Sequence, residues 1–146
     1  MQLRFLAPDQ HSAKKVVINV DGASRGNPGA AAIGVTIKDD KGKLLATISR
    51  AIGRQTNNQA EYHGIIAGLE KAQDLKAKAV LVKSDSELMV KQLTGRYRVK
   101  NEALKALYDQ ARQLISDFDS FAISHIPRES NREADALANR ALDGAT

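Results

Sequence analysis

Residues 16–52, VVINVDGASRGNPGAAAIGVTIKDDKGKLLATISRAI, hold three strand-length apolar runs in close succession. Residues 16–20 (VVINV) are rich in β-branched side chains, which suit a pleated, half-buried surface. The run ends at Asp21 and enters a Gly-rich stretch, DGASRGNPG, read as a turn. Residues 30–38 form a second strand. DDKGK (39–43) reads as a hairpin turn, so residues 44–52 return as a third strand antiparallel to the second.

Downstream the period changes to helical. Ile65, Ile66, Leu69 and Ala72 share one helix face, and TNNQ (56–59) before them has the form of a capping box. Residues 79–83 (AVLVK) make a short buried strand ending at Ser84 and Asp85. SDSE (84–87) is a second capping-box match, with a helix over 88–93. Residues 95–101 form a basic loop. Leu104, Leu107, Ala111, Leu114, Ile115 and Phe118 stripe an amphipathic helix. Residues 121–126 make a last strand, stopped by Pro127, and SNRE (130–133) matches a third capping box opening a helix over about 131–142. The order is β-β-β-α-β-α-α-β-α. Hairpin-joined strands imply an antiparallel half, and strands alternating with helices a parallel half. The expectation is an α/β fold with one mixed sheet covered by helices, in a single domain over residues 15–146. Residues 1–14 show no clean period and read as a tail or an extra edge strand.

The 146 residues suit one domain large enough to bury a core unaided. No Cys is present, which excludes disulfides and thiolate metal sites. Residues 1–15 lack the apolar core of a signal peptide, and no apolar run approaches the ~20 residues that span a bilayer. A cytoplasmic protein without membrane association is expected. The net charge is +5. With four acids set aside in one site, 22 basic residues face 13 acidic ones, a balance of +9. A basic surface around an acidic pocket suits a phosphate-rich substrate.

Four acids stand where α/β folds build sites. Asp21 and Asp85 end two strands that are plausible neighbours at the sheet centre, outside whose carboxyl ends ligands collect. Glu61 lies near the start of the helix that follows the third strand, and Asp135 in the first turn of the last helix. Singly, each has an ordinary reading as a turn residue, cap or solvated acid. Together they would repel and raise one another's pKa, a cost that hard divalent cations remove. Two ions about 4 Å apart can stabilise both the attacking and the leaving oxygen of a phosphoryl displacement.

The stretches DGASRGNPG (21–29), TNNQAEY (56–62), SDSELMVKQLTG (84–95) and HIPRESNREADALAN (125–139), in this order, resemble the type 1 ribonuclease H family over residues 16–141. The resemblance implies a five-stranded mixed sheet of order 3-2-1-4-5, with strand 2 antiparallel and helices on both faces. It implies endonucleolytic cutting of the RNA strand of RNA–DNA hybrids, giving 5′-phosphate and 3′-hydroxyl ends. Asp21, Glu61, Asp85 and Asp135 become the catalytic metal ligands, holding two Mg²⁺ per site in the substrate complex, with Mn²⁺ as an alternative. Ser24 and Asn27 turn toward the RNA strand, and Thr56 and Asn58 toward the sugar-phosphate backbone. The partner is the hybrid, and a monomer is expected. Double-stranded RNA and RNA–DNA junctions are alternative substrates.

Two departures from the family pattern stand out. Glu87 occupies a position where many relatives carry Gln. The 95–101 loop, with Arg96, Arg98 and Lys100 around Tyr97, replaces a longer basic insertion of some relatives. His125 lies ten residues before Asp135, the spacing of an assisting His in many relatives, and Arg128 is a second candidate to reach a phosphate or leaving group. The sequence leaves open which of the two assists. Other classes remain: a non-catalytic hybrid-binding module, although all four acids are present; a transposase- or resolvase-like nuclease, for whose extra domains this chain has no room; and a small-molecule α/β domain, although no Walker A or G-x-G-x-x-G match occurs.

Overall fold

The computed structural model describes residues 14–144. Apart from Lys14, the expected tail lies outside the described residues. Five strands form one sheet: β1 (Lys15–Gly26), β2 (Gly29–Asp39), β3 (Leu44–Gln55), β4 (Ala79–Ser84) and β5 (Ser120–His125). Their order is β3-β2-β1-β4-β5. β1, β2 and β3 pair antiparallel, while β4 lies parallel to β1 and β5 parallel to β4. Among the described residues four helices flank the sheet: α1 (Asn57–Asp74), α2 (Glu87–Leu93), α3 (Glu102–Ile115) and α4 (Arg132–Gly144), the last preceded by a 3-10 turn over Arg128–Ser130. Order, direction and helix count match the sequence expectation.

The Gly-rich stretch differs from its reading as a turn. β1 does not stop at Val20. It stays paired through Gly26, with Asp21 opposite Gly34 and Gly22 opposite Ile33, so only residues 27 and 28 link it to β2. A residue such as Asp21 therefore sits inside a hydrogen-bonded strand rather than at a mobile end.

Side-chain alternation sorts the layers. Val16, Ile18 and Val20 of β1, with Val35 and Ile37 of β2, pack on one face against Ile65, Leu69 and Ala72 of α1. α3 lies outside α1 and adds Leu104 and Ala111 to the same cluster. Tyr62 of α1 is 1% exposed and donates its hydroxyl to Gln92 of α2 at 2.7 Å, which satisfies both groups in the core. On the opposite face α4 lies over β2, presenting Ala134 and Ala138. Small residues there let helix and strand approach closely.

Of the three capping boxes read from the sequence, one forms. The Thr56 hydroxyl accepts from Gln59 N and the Gln59 side chain from Thr56 N, opening α1. At α2 the cap is Ser86, which accepts from Met89 N, while Ser84 accepts from Ser86 N as the strand turns. At α4 the amide of Asn131 bonds into the sheet instead. A capping sequence states only which side chains can reach an amide. Burial decides which of them are called elsewhere.

Two glycines fix helix-to-sheet distance. A Cβ on Gly22 would lie 2.2 Å from the Ala60 carbonyl carbon in α1, and one on Gly34 only 1.9 Å from the Ala134 oxygen in α4. Neither neighbour is a flexible side-chain end. Gly34→Ala is expected to lower unfolding stability in urea by about 1–3 kcal/mol, the usual cost of overpacking. Gly144→Ala, with nothing within 4 Å, is expected to change it by under ~0.5 kcal/mol.

Candidate active site

The environment of Asp21 follows from three pieces of register. Val20 is the parallel partner of Ser84, so Asp85 emerges at the end of β4 beside Asp21, midway along β1. Gly22 contacts α1 at Ala60 and Glu61, and Gly22 N donates to Glu61 Oε1 at 2.7 Å. Gly34, opposite Asp21, contacts α4 at Ala134, which sets the next residue, Asp135, over the same point of the sheet. Asp21, Glu61 and Asp85 thus each offer an oxygen, all within 4.8 Å of one another. Asp135 completes the wall of the same pocket, which Arg128, Asn57 and Asn139 also line.

Asp21 is 6% exposed. Burial, then the charge of Asp85 and the hydrogen bond and charge of Asp135, push its carboxyl up to about 8. Glu61 is held well above the usual range, first by burial and then by Asp21 and Asp85, against the smaller opposing effects of the Gly22 N–H and Arg128. Among the described residues no Lys or Arg lies within 4.0 Å of Asp21, Glu61 or Asp85. Arg128 reaches 4.0 Å from Asp135, with 82% of its side chain exposed. Clustered oxygen donors, one of them buried, without a matching protein cation, fit a hard divalent ion. This acidic triad can coordinate such a metal, and the donor set excludes a soft-metal site.

The remaining sequence candidates divide between two adjoining grooves. Ser24 lines the acid pocket, where its N–H donates to Asn57 Oδ1 at 3.1 Å and its hydroxyl to the carbonyls of Gln55 and Gly26. Asn27, Thr56 and Asn58 line a neighbouring groove together with Gln59 and Asn101. Asn27 Oδ1 accepts from Asn57 N at 3.0 Å, so the 26–29 turn is latched to the N-terminus of α1. The Thr56 hydroxyl is occupied as a cap but keeps its own proton for donation.

His125 and Arg128, paired as alternatives in the sequence, occupy different places. His125 is the last residue of β5, in register with Ser84, exposed, and close enough to Glu87 to help lower that carboxyl's pKa. Arg128 lines the acid pocket. Glu87 neither caps α2 nor joins the acids. It pairs with Lys91 at 3.0 Å one turn on. Sequence reasoning missed Asn131, which donates to Asp85 Oδ2, and Asn57, which interlocks the two groove loops. Asn57 was visible beside the Thr56 cap. Asn131 was hidden inside a capping-box match.

The family model described as reverse transcriptase-like matches residues 19–141. Ribonuclease HI of Halobacterium salinarum is 47% identical over 125 residues, covering 86% of this chain and 63% of that protein. The crystal structure of RNase H1 from that archaeon superposes with a TM-score of 0.87 at 45% identity, covering 89% of this chain and 98% of the crystallised one. The bifunctional protein Rv2228c of Mycobacterium tuberculosis is 48% identical over 132 residues, 90% of this chain but 36% of its own length. LC11-RNase H1, solved in complex with RNA/DNA hybrid, gives a TM-score of 0.85 at 41% identity, covering 89% and 98%. The chain spans less than two thirds of the length of ribonuclease HI of Halobacterium salinarum and of Rv2228c. No helix among the described residues is long and apolar enough to cross a membrane. With the strand order, the acid cluster and matches along nearly its whole length, the chain belongs to the type 1 ribonuclease H family.

Proposed function

We propose that this chain is an endoribonuclease that cuts the RNA strand of RNA–DNA hybrids, leaving 5′-phosphate and 3′-hydroxyl ends. The observation that carries this reading is the triad of carboxylate oxygens within 4.8 Å on Asp21, Glu61 and Asp85. LC11-RNase H1, the relative solved with RNA/DNA hybrid, supports the substrate assignment.

Asp21, Glu61, Asp85 and Asp135 are the residues that would hold the metal, two Mg²⁺ with Mn²⁺ as substitute. Bound there, the ions would supply an activated water and charge neutralisation at the leaving 3′-oxygen. The protein's own part is to hold these carboxylates in place against their mutual repulsion. Arg128, exposed and bordering the acids, is the group able to meet a phosphate oxygen or the leaving group, and we assign assistance to it ahead of His125. The interlocked amides of Ser24, Asn57 and Asn27 make a rigid floor for a minor groove. There a 2′-hydroxyl, donor and acceptor at once, separates RNA from DNA. Asn58 and the Thr56 hydroxyl serve the sugar-phosphate backbone.

The direct test incubates labelled RNA–DNA hybrid with the protein, with and without Mg²⁺, beside a double-stranded RNA of the same sequence. Wild type should cut the hybrid only with metal. Asp21→Asn or Asp85→Asn should lower cleavage by roughly 100-fold or more, the scale of a single preorganised charge-handling group. Equal cutting by the variants would sink the reading. Arg128→Ala should cost more turnover than His125→Ala, and the reverse order would reassign the assisting role.

Proton linkage gives a second test. Metal-free folded protein keeps a proton on Asp21 up to about pH 8, whereas the unfolded chain releases it near the ordinary value of 3.8. The folded state binds more protons between these values, so metal-free stability should fall as pH rises through that window. Thermal midpoints taken from pH 4 to 8 in a chelator should show this decline. Asp21→Asn should make it shallower, leaving the part due to Glu61, and Mg²⁺ should raise the wild-type midpoint most at the alkaline end.

A further inference from the structure

Asn131 stands between the 3-10 turn and α4 and is 1% exposed. A buried amide has to satisfy a carbonyl and an NH₂ group, and every such bond is placed here. Its Oδ1 accepts from Asn19 Nδ2 on β1 at 3.1 Å. Its Nδ2 donates to the Val20 carbonyl at 2.8 Å and to Asp85 Oδ2 at 3.3 Å. Its main-chain carbonyl accepts from Asp135 N at 3.1 Å. One side chain therefore touches the residue before Asp21, the carboxylate of Asp85 and, through the backbone, Asp135.

The direction of these bonds matters. An amide can be turned over at little steric cost, which would set a carbonyl oxygen against Asp85. The Val20 carbonyl prevents this. It can only accept, so it claims the NH₂ end together with Asp85, and Oδ1 is left to accept from Asn19. A charge-assisted N–H···O⁻ bond then fixes one Asp85 oxygen and leaves the other to face the cluster.

We propose that Asn131, oriented by the Val20 carbonyl and braced by Asn19, is the positioning residue that holds Asp85 in its cation-receptive orientation and ties α4, with Asp135, to the middle of β1. This assignment rests on reading the acid cluster as a divalent-cation site.

The test uses the full chain as Asn131→Ala, Asn19→Ala and, as comparison, Leu137→Ala, which removes a buried side chain from α4 without touching Asn131. Circular dichroism and thermal midpoints establish folding. Calorimetry with Mg²⁺ alone, without nucleic acid, gives metal affinity, and steady-state cleavage separates kcat from KM. Asn131→Ala should weaken Mg²⁺ binding about 10- to 100-fold, the usual cost of removing a group that orients a metal ligand. Its kcat at limiting Mg²⁺ should fall, while KM for the hybrid stays within about twofold, as expected for a group that does not touch substrate. Asn19→Ala should shift metal affinity the same way by less. Leu137→Ala should lower the midpoint alone.

Wild-type Mg²⁺ affinity in Asn131→Ala, with only its midpoint lowered, would overturn the proposal. If Asn131→Ala does not fold, Asn19→Ala decides by the same measure, and unchanged affinity there overturns it. Calorimetry needs no substrate. Absent hybrid cleavage by a wild type that binds Mg²⁺ would thus count against the hydrolase reading alone.

Discussion

The structure turns on the close approach of two helices to the sheet at a single point of β1. Gly22 admits the backbone of α1 from one side, and Gly34, across the ladder from Asp21, admits α4 from the other. A Cβ at either position would collide with main-chain atoms, which cannot swing aside. Because the contacts are backbone to backbone, they set the positions of Glu61 and Asp135 with little freedom. The parallel register of β4 then delivers Asp85. The acid cluster is thus a consequence of packing distances, and the core beneath it, built on Ile18, Val20, Ile65 and Leu69, holds those distances.

Gathering carboxylates in this way is unfavourable without a cation. Burial and mutual repulsion push the Asp21 carboxyl up to about 8 and hold Glu61 well above its usual range. Under the proposed function a divalent ion takes the place of their protons, which would couple metal occupancy to folding. Elsewhere the basic excess is exposed, as at Arg96, Arg98 and Lys100 between α2 and α3, where Lys91 also lies 4.9 Å over the Tyr97 ring.

The groove beside the acids shows how a polar surface can be rigid. Asn57 joins the β1–β2 turn to α1 by accepting from Ser24 N and donating its own N–H to Asn27. Thr56 and Gln59 close the helix start by mutual capping. Each amide so used loses freedom before any ligand arrives, which lowers the ordering cost of binding.

The sequence by itself determined the element order and the mixed sheet, and it singled out the acids that line one pocket. Those rest on local signals: β-branched runs, helical stripes and acids at element ends, each readable within a dozen residues. It also placed Thr56 as a true cap. Other short signals misled. DGASRGNPG has turn composition, yet most of it is paired strand, because β2 offers partners as far as Gly29. SDSE and SNRE look like capping boxes, but Ser86 caps α2, and Asn131 is drawn into the sheet by Asn19, Val20 and Asp85, all at least 46 residues away. The choice between His125 and Arg128 as neighbour of the acids was likewise set by where β5 ends. Only tertiary structure decided these points, because they depend on which distant groups come within hydrogen-bonding distance once two helices close on the sheet, and spacing along the chain does not encode that distance.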